Sequence, residues 1–542
     1  MIRSTINVVE FSKTSIYPPL VKDYLLAPGS FSDFISYTPD IAGFEKAKSA
    51  LHLDEGQRKV LVDVLNKQYQ EAGIDASELG IELLLKNNTY TVCTGHQLCL
   101  FGGPLYVIYK LISIINLAQK LRQIFPDDQF VPVYWMATED HDFEEISSTL
   151  VYGKTLKWSV SENTEFGSNA VGLLPTATLS ALLGELNGIL EGSQHQKQII
   201  DLINDAYLGQ PNLALATRKF IHALLGKFKL IIIDANHKEL KAGFAPFMAE
   251  DATNSENFAI VQNTIQKLSF RKYPAQVNPR LINLFYLNQG KRLRITKPDE
   301  AIGQGVVWDT QVKSEMVEFP ERFSPNVIMR PLYQQFLLPN LAYIGGPGEL
   351  SYWLELKDMF EANKLTFPLL LPRNSMVWLD KRFAEIWNGL GFTHEDLFKE
   401  GSVLEKEFIL RNSSEQLDLS AETQVILAAM DAVKGKFSQV DPTLVNAVKA
   451  ETERISQGLK GLEAKAIKAS KAKLETKINQ IGKVKNKVFP NGIAQERQDH
   501  LITYLAQYGF EFIDALQQAI EPLNFNVKVV EEKAEKEEKA EK

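Results

Sequence analysis

The residues Phe130 to Ala137 are almost all apolar, and they run straight into Thr138-Glu139-Asp140-His141-Asp142. A strand that is apolar on both faces has to be covered on both, which is the condition of a central strand in a parallel sheet flanked by helices. Its polar end then falls at the carboxyl edge of the sheet, where open α/β sheets form their ligand crevices. The pattern recurs along the chain. Thr89 to Thr94 is β-branched, aromatic or small and ends in Gly95-His96-Gln97; after Gly102-Gly103-Pro104, helical periodicity runs through Leu105, Ile108, Leu111, Ile112, Ile115 and Ala118, with Pro104 as first helical residue. A helix predicted over Leu213 to Leu225 leads to the apolar run Leu230 to Ile233, closed by Asp234. Leu341 to Ile344 leads through Gly345-Gly346-Pro347-Gly348 to a helix over Glu349 to Asn363 and a strand over Phe367 to Leu371. An earlier helix follows from Val60, Leu61, Val64, Leu65 and Tyr69, stopped at Gly73. Strands and helices alternating at this spacing predict an α/β fold with a Rossmann-like parallel-sheet core.

Leu284 to Leu287 and Arg292 to Ile295, joined by Asn288-Gln289-Gly290, predict a β-hairpin, because Asn and Gly tolerate the positive φ of tight turns. The core is therefore expected to span 1–400, with insertions at about 150–215 and 245–325. Beyond it the pattern changes. Ile426, Met430, Val433, Phe437 and Val440 step by helical threes and fours, and after Asp441-Pro442 so do Ile455, Leu459, Leu462, Ala466 and Ala469. This predicts an α-helical antiparallel coiled-coil arm over 401–488, with Pro442 at the start of the second helix and a solvated flank at Lys465, Lys468, Lys471 and Lys473. A stripe this narrow needs a partner. Val488-Phe489-Pro490-Asn491-Gly492 breaks the arm, a helix over Gln495 to Ile520 is expected to return to the core within 489–528, and 529–542 reads as a charged tail, Glu531 to Lys542 being only Glu, Lys and Ala.

A formal charge of -8 and a pI near 5.7 argue against nucleic acid as partner and leave a nucleotide or small metabolite. Two cysteines, Cys93 and Cys99, cannot build a disulfide framework and fit a reducing compartment, hence the cytoplasm. Met1 to Tyr17 lacks a secretory apolar core, and no apolar run approaches the ~20 residues of a membrane span.

Three loops carry candidate chemistry. Gly95-His96-Gln97 with Gly102 and Gly103 would offer backbone N–H groups and a helix N-terminus to an anion, with His96 beside a transferring phosphoryl group or attacked carboxylate; the plainer alternative is a Gly-rich strand-to-helix turn. Glu139 to Asp142 puts four titratable residues at one strand end. Asp140 and Asp142 could ligate Mg²⁺, or His141 could act as acid or base, unless the loop only caps the next helix with an Asp. Gly345 to Glu349 repeats the Gly-rich turn, preceded by Arg330, Gln334 and Gln335, with Arg330 as anion clamp. Cys93, inside a predicted buried strand, reads as a small hydrophobe.

The motifs Thr94-Gly95-His96-Gln97-Leu98, Phe101-Gly102-Gly103-Pro104-Leu105-Tyr106 with Tyr109-Lys110, and Pro132-Val133-Tyr134-Trp135 with Glu139-Asp140-His141-Asp142-Phe143 resemble those of the bacillithiol-biosynthesis cysteine-adding enzymes, the BshC family. Ser324-Pro325-Asn326 with Arg330-Pro331, Tyr343 to Glu349 with Tyr352-Trp353, Pro372-Arg373-Asn374-Ser375, and Phe489 to Gly492 with Gln495-Glu496-Arg497 extend the likeness over nearly the whole chain. The resemblance implies a Rossmann core with connecting insertions and a coiled coil that makes a homodimer. It implies a ligase that joins the carboxylate of cysteine to the amine of glucosaminyl-malate, with ATP as energy source through an adenylate or an acyl phosphate. His96, Gln97, Asp140, His141 and Asp142 are then the expected catalytic set. Gly95, Gly102, Gly103, Tyr106 and Arg330, together with Gln334, Gly346, Glu349 and Asn374, are expected to hold substrate. Asn491, Gln495 and Arg497 are expected in a pocket for ATP or ADP near the coiled coil. A nucleotidyltransferase acting on a sugar or acid, and a non-catalytic nucleotide-binding dimeric scaffold, are the competing readings.

Overall fold

The computed structural model describes residues 2–158, 170–289, 291–300, 305–412 and 418–533. The chain divides into two units, Met1–Val377 with Ala494–Lys528, and Trp378–Ile493 with Val529–Lys542.

In the first unit, helix α1 (Glu55–Glu71) starts on a capping box between Asp54 and Gln57, and Gly73 beyond its end takes φ +66°, a value that suits glycine. Strand β1 (Thr89–His96), helix α2 (Leu105–Ile124), strand β2 (Gln129–Met136), the single turn α3 (Phe143–Ile146), helix α4 (Leu213–Leu225) and strand β3 (Ile231–Asp234) follow. The chain continues through hairpin strands β4 (Leu284–Asn288) and β5 (Lys291–Thr296), the short β6 (Val306–Val307) and β7 (Phe323–Pro325), helix α5 (Met329–Leu337), strand β8 (Asn340–Gly345), helix α6 (Pro347–Trp353) and strand β9 (Leu369–Pro372). One parallel sheet has the order β9-β8-β1-β2-β3. Its register pairs His96 with Met136 and Met136 with Asp234, so the polar tips of three strands finish level. The apolar runs read from the sequence are the buried interior of this sheet, and α2, nearly all buried from Leu105 to Ala118, covers one face. The hairpin forms as expected and joins a separate sheet of order β7-β4-β5-β6, with Gln289 at φ +50° in its turn.

Three boundaries differ from expectation, each for a local reason. Pro104 is the N-cap of α2 rather than its first residue, with ψ 157°. The helix expected over Glu349 to Asn363 breaks into α6 and Lys357–Ala362 at the buried stretch Leu354-Glu355-Leu356, where the Glu355 carboxylate turns to accept from Gln276 N (2.8 Å) and Val277 N (3.1 Å). The helix expected over Gln495 to Ile520 breaks into Gln495–Gln498, Leu501–Tyr508 and Glu511–Ala519: the His500 side chain caps the second piece at Ile502 N, and Gly509 ends it at φ +67°. Val527–Glu532 is a strand with buried Val529 and Val530, so the stretch read as a charged tail begins in regular structure; 534–542 lies outside the described residues.

His500 carries a pH prediction. It is fully buried; Nδ1 accepts from Ile502 N (3.1 Å) and Nε2 lies 3.0 Å from the Leu100 carbonyl, an arrangement for the neutral ring with its proton on Nε2. Burial lowers its pKa to about 4 from the usual 6.5. Between those values the unfolded chain binds a proton that the folded one does not. Stability is therefore complete above about pH 6.5 and falls as pH drops toward 4, by on the order of 3 kcal/mol from this group. Urea melts at pH 7 and pH 4.5 should show the loss, and His500→Gln should shrink it.

In the second unit, helices Ser420–Val440 and Leu444–Lys473 pack along one another across a turn at Asp441-Pro442-Thr443, which places Pro442 just ahead of the second helix. Helix Glu475–Val488 follows, and Ile478 packs on Ile409 with Leu474 and Ile467 around them. Part of the predicted apolar seam stays open: Phe437 is 45% exposed, Leu462 57% and Val440 81%. Ala469, Lys471 and Lys473 have side chains outside the described residues.

Candidate active site

At the carboxyl ends of β1, β2 and β8 the first unit opens into a cleft of about 610 Å³. Gly95 and His96 come from β1, Trp135 and Met136 from β2, Tyr343 from β8, and Gly346 to Glu349 from the turn into α6. The hairpin closes one side with Phe285, Arg292 and Arg294. Arg280, Arg330, Arg373 and Arg497 bring the lining arginines to six, against the four carboxylates Glu139, Asp140, Glu145 and Glu349.

Two of those carboxylates are already matched from behind. Lys110, 1% exposed, donates to both oxygens of Glu349 (2.6 and 2.9 Å) and to the Gly95 carbonyl (2.6 Å). Tyr343 OH donates to the same carboxylate (2.8 Å). Lys241, wholly buried, donates to Glu139. Burial lowers the pKa of both lysines, opposed by the carboxylate each one meets. Asp140 accepts from Gln97 Nε2 (2.6 Å) and from His141 N (2.7 Å), with Arg292 at 3.7 Å. Burial alone would raise its pKa, but the His141 and Gln97 hydrogen bonds and the Arg292 charge hold it well below the usual carboxylate range. The unmatched charge left on the walls is positive, as an anionic ligand requires.

Arg330 is the clearest case. Its Nη1 donates to Gln334 Oε1 (3.0 Å), while Nη2 is buried without a hydrogen-bond partner. Gly95 makes room for it, since a Cβ there would stand 3.3 Å from Nη1 and 3.4 Å from Tyr343 OH. On the neighbouring wall Tyr106 lies between two cations, with Arg373 5.3 Å and Arg497 5.5 Å from its ring centre. Its hydroxyl is 3.2 Å from His96 Nε2, and Cys99 Sγ is 3.5 Å from the same nitrogen. Burial pushes the Cys99 thiol up to about 12 and raises the Tyr106 phenol, so both keep their protons and can donate to Nε2. The His96 ring is neutral: burial, then Lys110, Arg373 and Arg497, drive its pKa well below 6.5. Cys93 is fully buried in β1, and its pKa too is pushed up to about 12 by burial, as expected of a small hydrophobe.

The structure brings together Gly95, His96, Gln97, Tyr106, Asp140, Arg330, Gly346, Glu349 and Arg497 on the cleft wall. His141 stands at the rim, 38% exposed, with Nδ1 3.3 Å from Arg292 Nη1. The same nitrogen lies 3.6 Å from Asp140 Oδ1. Asp142 points elsewhere, exposed and capping α3 at Glu145 N (3.1 Å), which is the capping role weighed for this loop. Gln334 lies behind Arg330. Gly102 and Gly103 do not line the cleft; they take φ +89° and +72° where the chain packs against Phe220, Leu501 and Cys99, and the first N–H of α2, at Leu105, is taken by the Asp499 carbonyl. Asn374 is buried and binds the carbonyls of Glu521 and Asn524. Gln495 is buried, and Asn491 belongs to the second unit. Among the described residues no three His, Cys, Asp or Glu side chains gather as a metal-holding group. Sequence reasoning missed Arg280, Arg292, Arg294, Arg373, Lys110 and Lys241 as site residues. One signal was there: Arg292 and Arg294, two apart on a strand, must share a face.

Models of two protein families match this chain: "Bacillithiol biosynthesis BshC, N-terminal Rossmann-like domain" over residues 5–374 and "Bacillithiol biosynthesis BshC, C-terminal coiled-coil domain" over residues 376–532. Relatives named "Putative cysteine ligase BshC" are similar along almost their whole length. That of Flavobacterium johnsoniae is 37% identical over 97% of this chain and 99% of its own, that of Christiangramia forsetii 37% over 97% and 98%, and that of Cytophaga hutchinsonii 34% over 96% and 96%.

Proposed function

Because the chain belongs to the BshC family of bacillithiol biosynthesis, we propose that it is a cysteine ligase forming an amide between the carboxylate of cysteine and the amine of glucosaminyl-malate. The observation that carries this reading is Arg330, a guanidinium with a buried, unpartnered Nη2 in a cleft whose back-wall lysines have already matched Glu349 and Glu139. Malate supplies two carboxylates, the groups that a fork of guanidinium donors holds best. Arg330 takes one and the Arg292–Arg294 face of the hairpin the other.

Amide formation in water needs an activated acyl group, and ATP is the proposed source. The amine attacks the acyl carbon, the C–N bond forms, and phosphate or AMP departs with the electron pair. Neutral His96, at the end of β1, lies where the acyl oxygen gains charge, and a fixed donor at such a point acts through electrostatic stabilisation. Glu145 lines the same cleft, and burial raises its carboxyl pKa, which suits it to take the proton that the amine releases. His141, beside Asp140 and Arg292, serves as a donor at the rim. Asp140 is the cleft carboxylate that Mg²⁺ carried on nucleotide phosphates would meet.

Purified protein supplied with ATP, cysteine and glucosaminyl-malate should yield the thiol product by mass spectrometry, together with ADP or AMP according to the route of activation. No product with any nucleotide and metal would defeat the proposal. The open seam of the arm supports a homodimer; light scattering should give twice the chain mass, and Phe437→Glu should return a monomer.

A further inference from the structure

The chain between helix Glu256–Phe270 and β4 lines the cleft with Asn278 and Arg280, and it has no helix or strand of its own. Buried carboxylates fasten it on both sides. Glu355, 0% exposed just beyond α6, accepts from Gln276 N through one oxygen (2.8 Å) and from Val277 N through the other (3.1 Å). Asp251, 1% exposed, accepts from Asn283 N (2.7 Å) and Asn283 Nδ2 (3.3 Å). The Asn283 side chain in turn accepts from Arg280 N (3.2 Å) and donates to the Arg280 carbonyl (3.0 Å). Pro279 is buried between these anchors, whereas the Arg280 side chain is exposed at the mouth of the cleft.

Glu355 is the costly anchor, because a buried carboxylate is ordinarily matched by a cation. The titratable groups nearest to it on the flanking segments are turned to other partners or to solvent: Arg271 meets Asp33, Tyr273 meets Asp23, Lys267 meets Asp358, Lys357 meets Glu361, and Lys272 is exposed. Burial raises the Glu355 pKa to about 7, opposed by the Gln276 and Val277 N–H groups. The carboxylate has one property that a neutral side chain lacks. Two successive backbone N–H groups call for two acceptor oxygens, and glutamine would supply one oxygen and turn its NH₂ toward the other N–H. The charge-assisted pair therefore sets the direction in which the chain leaves toward Asn278 and Arg280. Among the described residues the Arg280 guanidinium makes no hydrogen bond or ion pair, so its placement comes from its backbone alone.

We propose that Glu355, which does not itself line the cleft, is a positioning residue that fastens this loop so that Arg280 meets the malate carboxylate beside Arg294 of the hairpin. The inference rests on the substrate proposed above and adds a residue to its recognition. A guanidinium on a fastened loop needs only its side chain ordered when the ligand arrives, whereas a loose loop would add the ordering of its backbone.

Calorimetric titration of the full-length protein with glucosaminyl-malate, which requires no turnover, tests this together with hydrogen exchange of the peptides spanning 271–283. Glu355→Gln should weaken binding about tenfold and speed exchange across 274–280, while β1 and β2 exchange as in the wild type. Pro279→Gly, which loosens the same loop and leaves the carboxylate in place, should act in the same direction. Arg280→Ala should weaken binding about tenfold with the loop still protected. The Glu355→Gln, Arg280→Ala double variant should bind no more weakly than Arg280→Ala alone, because one residue acts through the other. Full affinity in Glu355→Gln, losses that multiply in the double variant, or faster exchange spread over β1 and β2 would each overturn the assignment. Should glucosaminyl-malate bind with these dependences yet form no product, the role of Glu355 stands and the ligase reading falls; a wild type that does not bind it at about 10 mM overturns both.

Discussion

Arg330→Ala should lower kcat/KM for glucosaminyl-malate about 100-fold or more and leave the urea midpoint almost unchanged. Among the described residues its side chain donates to Gln334 and meets Tyr352 at the cleft wall, and Nη2 has no hydrogen-bond partner, so the native chain loses less than the ligand does when the guanidinium goes. The ligand loses a charge-assisted contact in a desolvated wall, where truncating one partner costs about 2–5 kcal/mol, and 100-fold corresponds to about 2.7 kcal/mol. Arg330→Lys should recover only part of the rate, because a point charge replaces a planar fork. Steady-state rates of product formation against glucosaminyl-malate concentration read this directly. Wild-type kinetics in Arg330→Ala would remove the anion clamp and with it the orientation proposed for the substrate.

Glu496→Ala should destabilise the first unit by about 3–5 kcal/mol, the usual loss when one member of a buried ion pair is removed. Arg373 Nη2 donates to Glu496 (2.6 Å) with both side chains at most 3% exposed, and the other Glu496 oxygen accepts from Ser375 Oγ (2.7 Å) and Met376 N (3.3 Å). Without the carboxylate, a guanidinium remains in the core with no counter-charge in contact. Glu496→Gln keeps the acceptor and should cost less. Replacing both partners by apolar residues should cost less than Glu496→Ala, since no buried charge is then stranded. Urea unfolding of the purified variants measures all three, and a midpoint for Glu496→Ala equal to the wild type would show that the pair contributes nothing. The pair also bears on the site: Arg373 lies against Tyr106, which contacts His96, so Glu496→Ala should slow turnover even under conditions where the protein stays folded.

Much of this molecule is readable before folding. A strand covered on both faces carries its own signature, an unbroken apolar run, so Phe130 to Ala137 and its relatives identify the parallel sheet without knowledge of any contact. Because a parallel sheet places like ends together, the polar residues following those runs are also committed to one edge, and His96, Asp140 and Glu349 do meet there. Which neighbours share that fate is a different matter. Asp140 and Asp142 differ by two positions, yet one enters the cleft and the other turns outward to cap α3, a choice made by where the next helix starts. Gly102 and Gly103 look like an anion cradle, but the Asp499 carbonyl, distant in sequence, takes the first N–H of the helix they precede.

Most of the cationic character of the cleft belongs to the tertiary structure: Arg330 and Arg497 are expected at a ligand site from the sequence, the other four lining arginines are not. Arg292 and Arg294 sit on a hairpin strand, Arg373 at the end of the last strand of the sheet, and Arg497 more than a hundred residues later. Local sequence determined the strands, the helices and the level edge, because backbone geometry and apolar burial act over a few residues. The meeting of six arginines with lysine-matched carboxylates was decided by chain crossings, because charge acts through space and no periodicity along the chain records which side chains will share a desolvated wall.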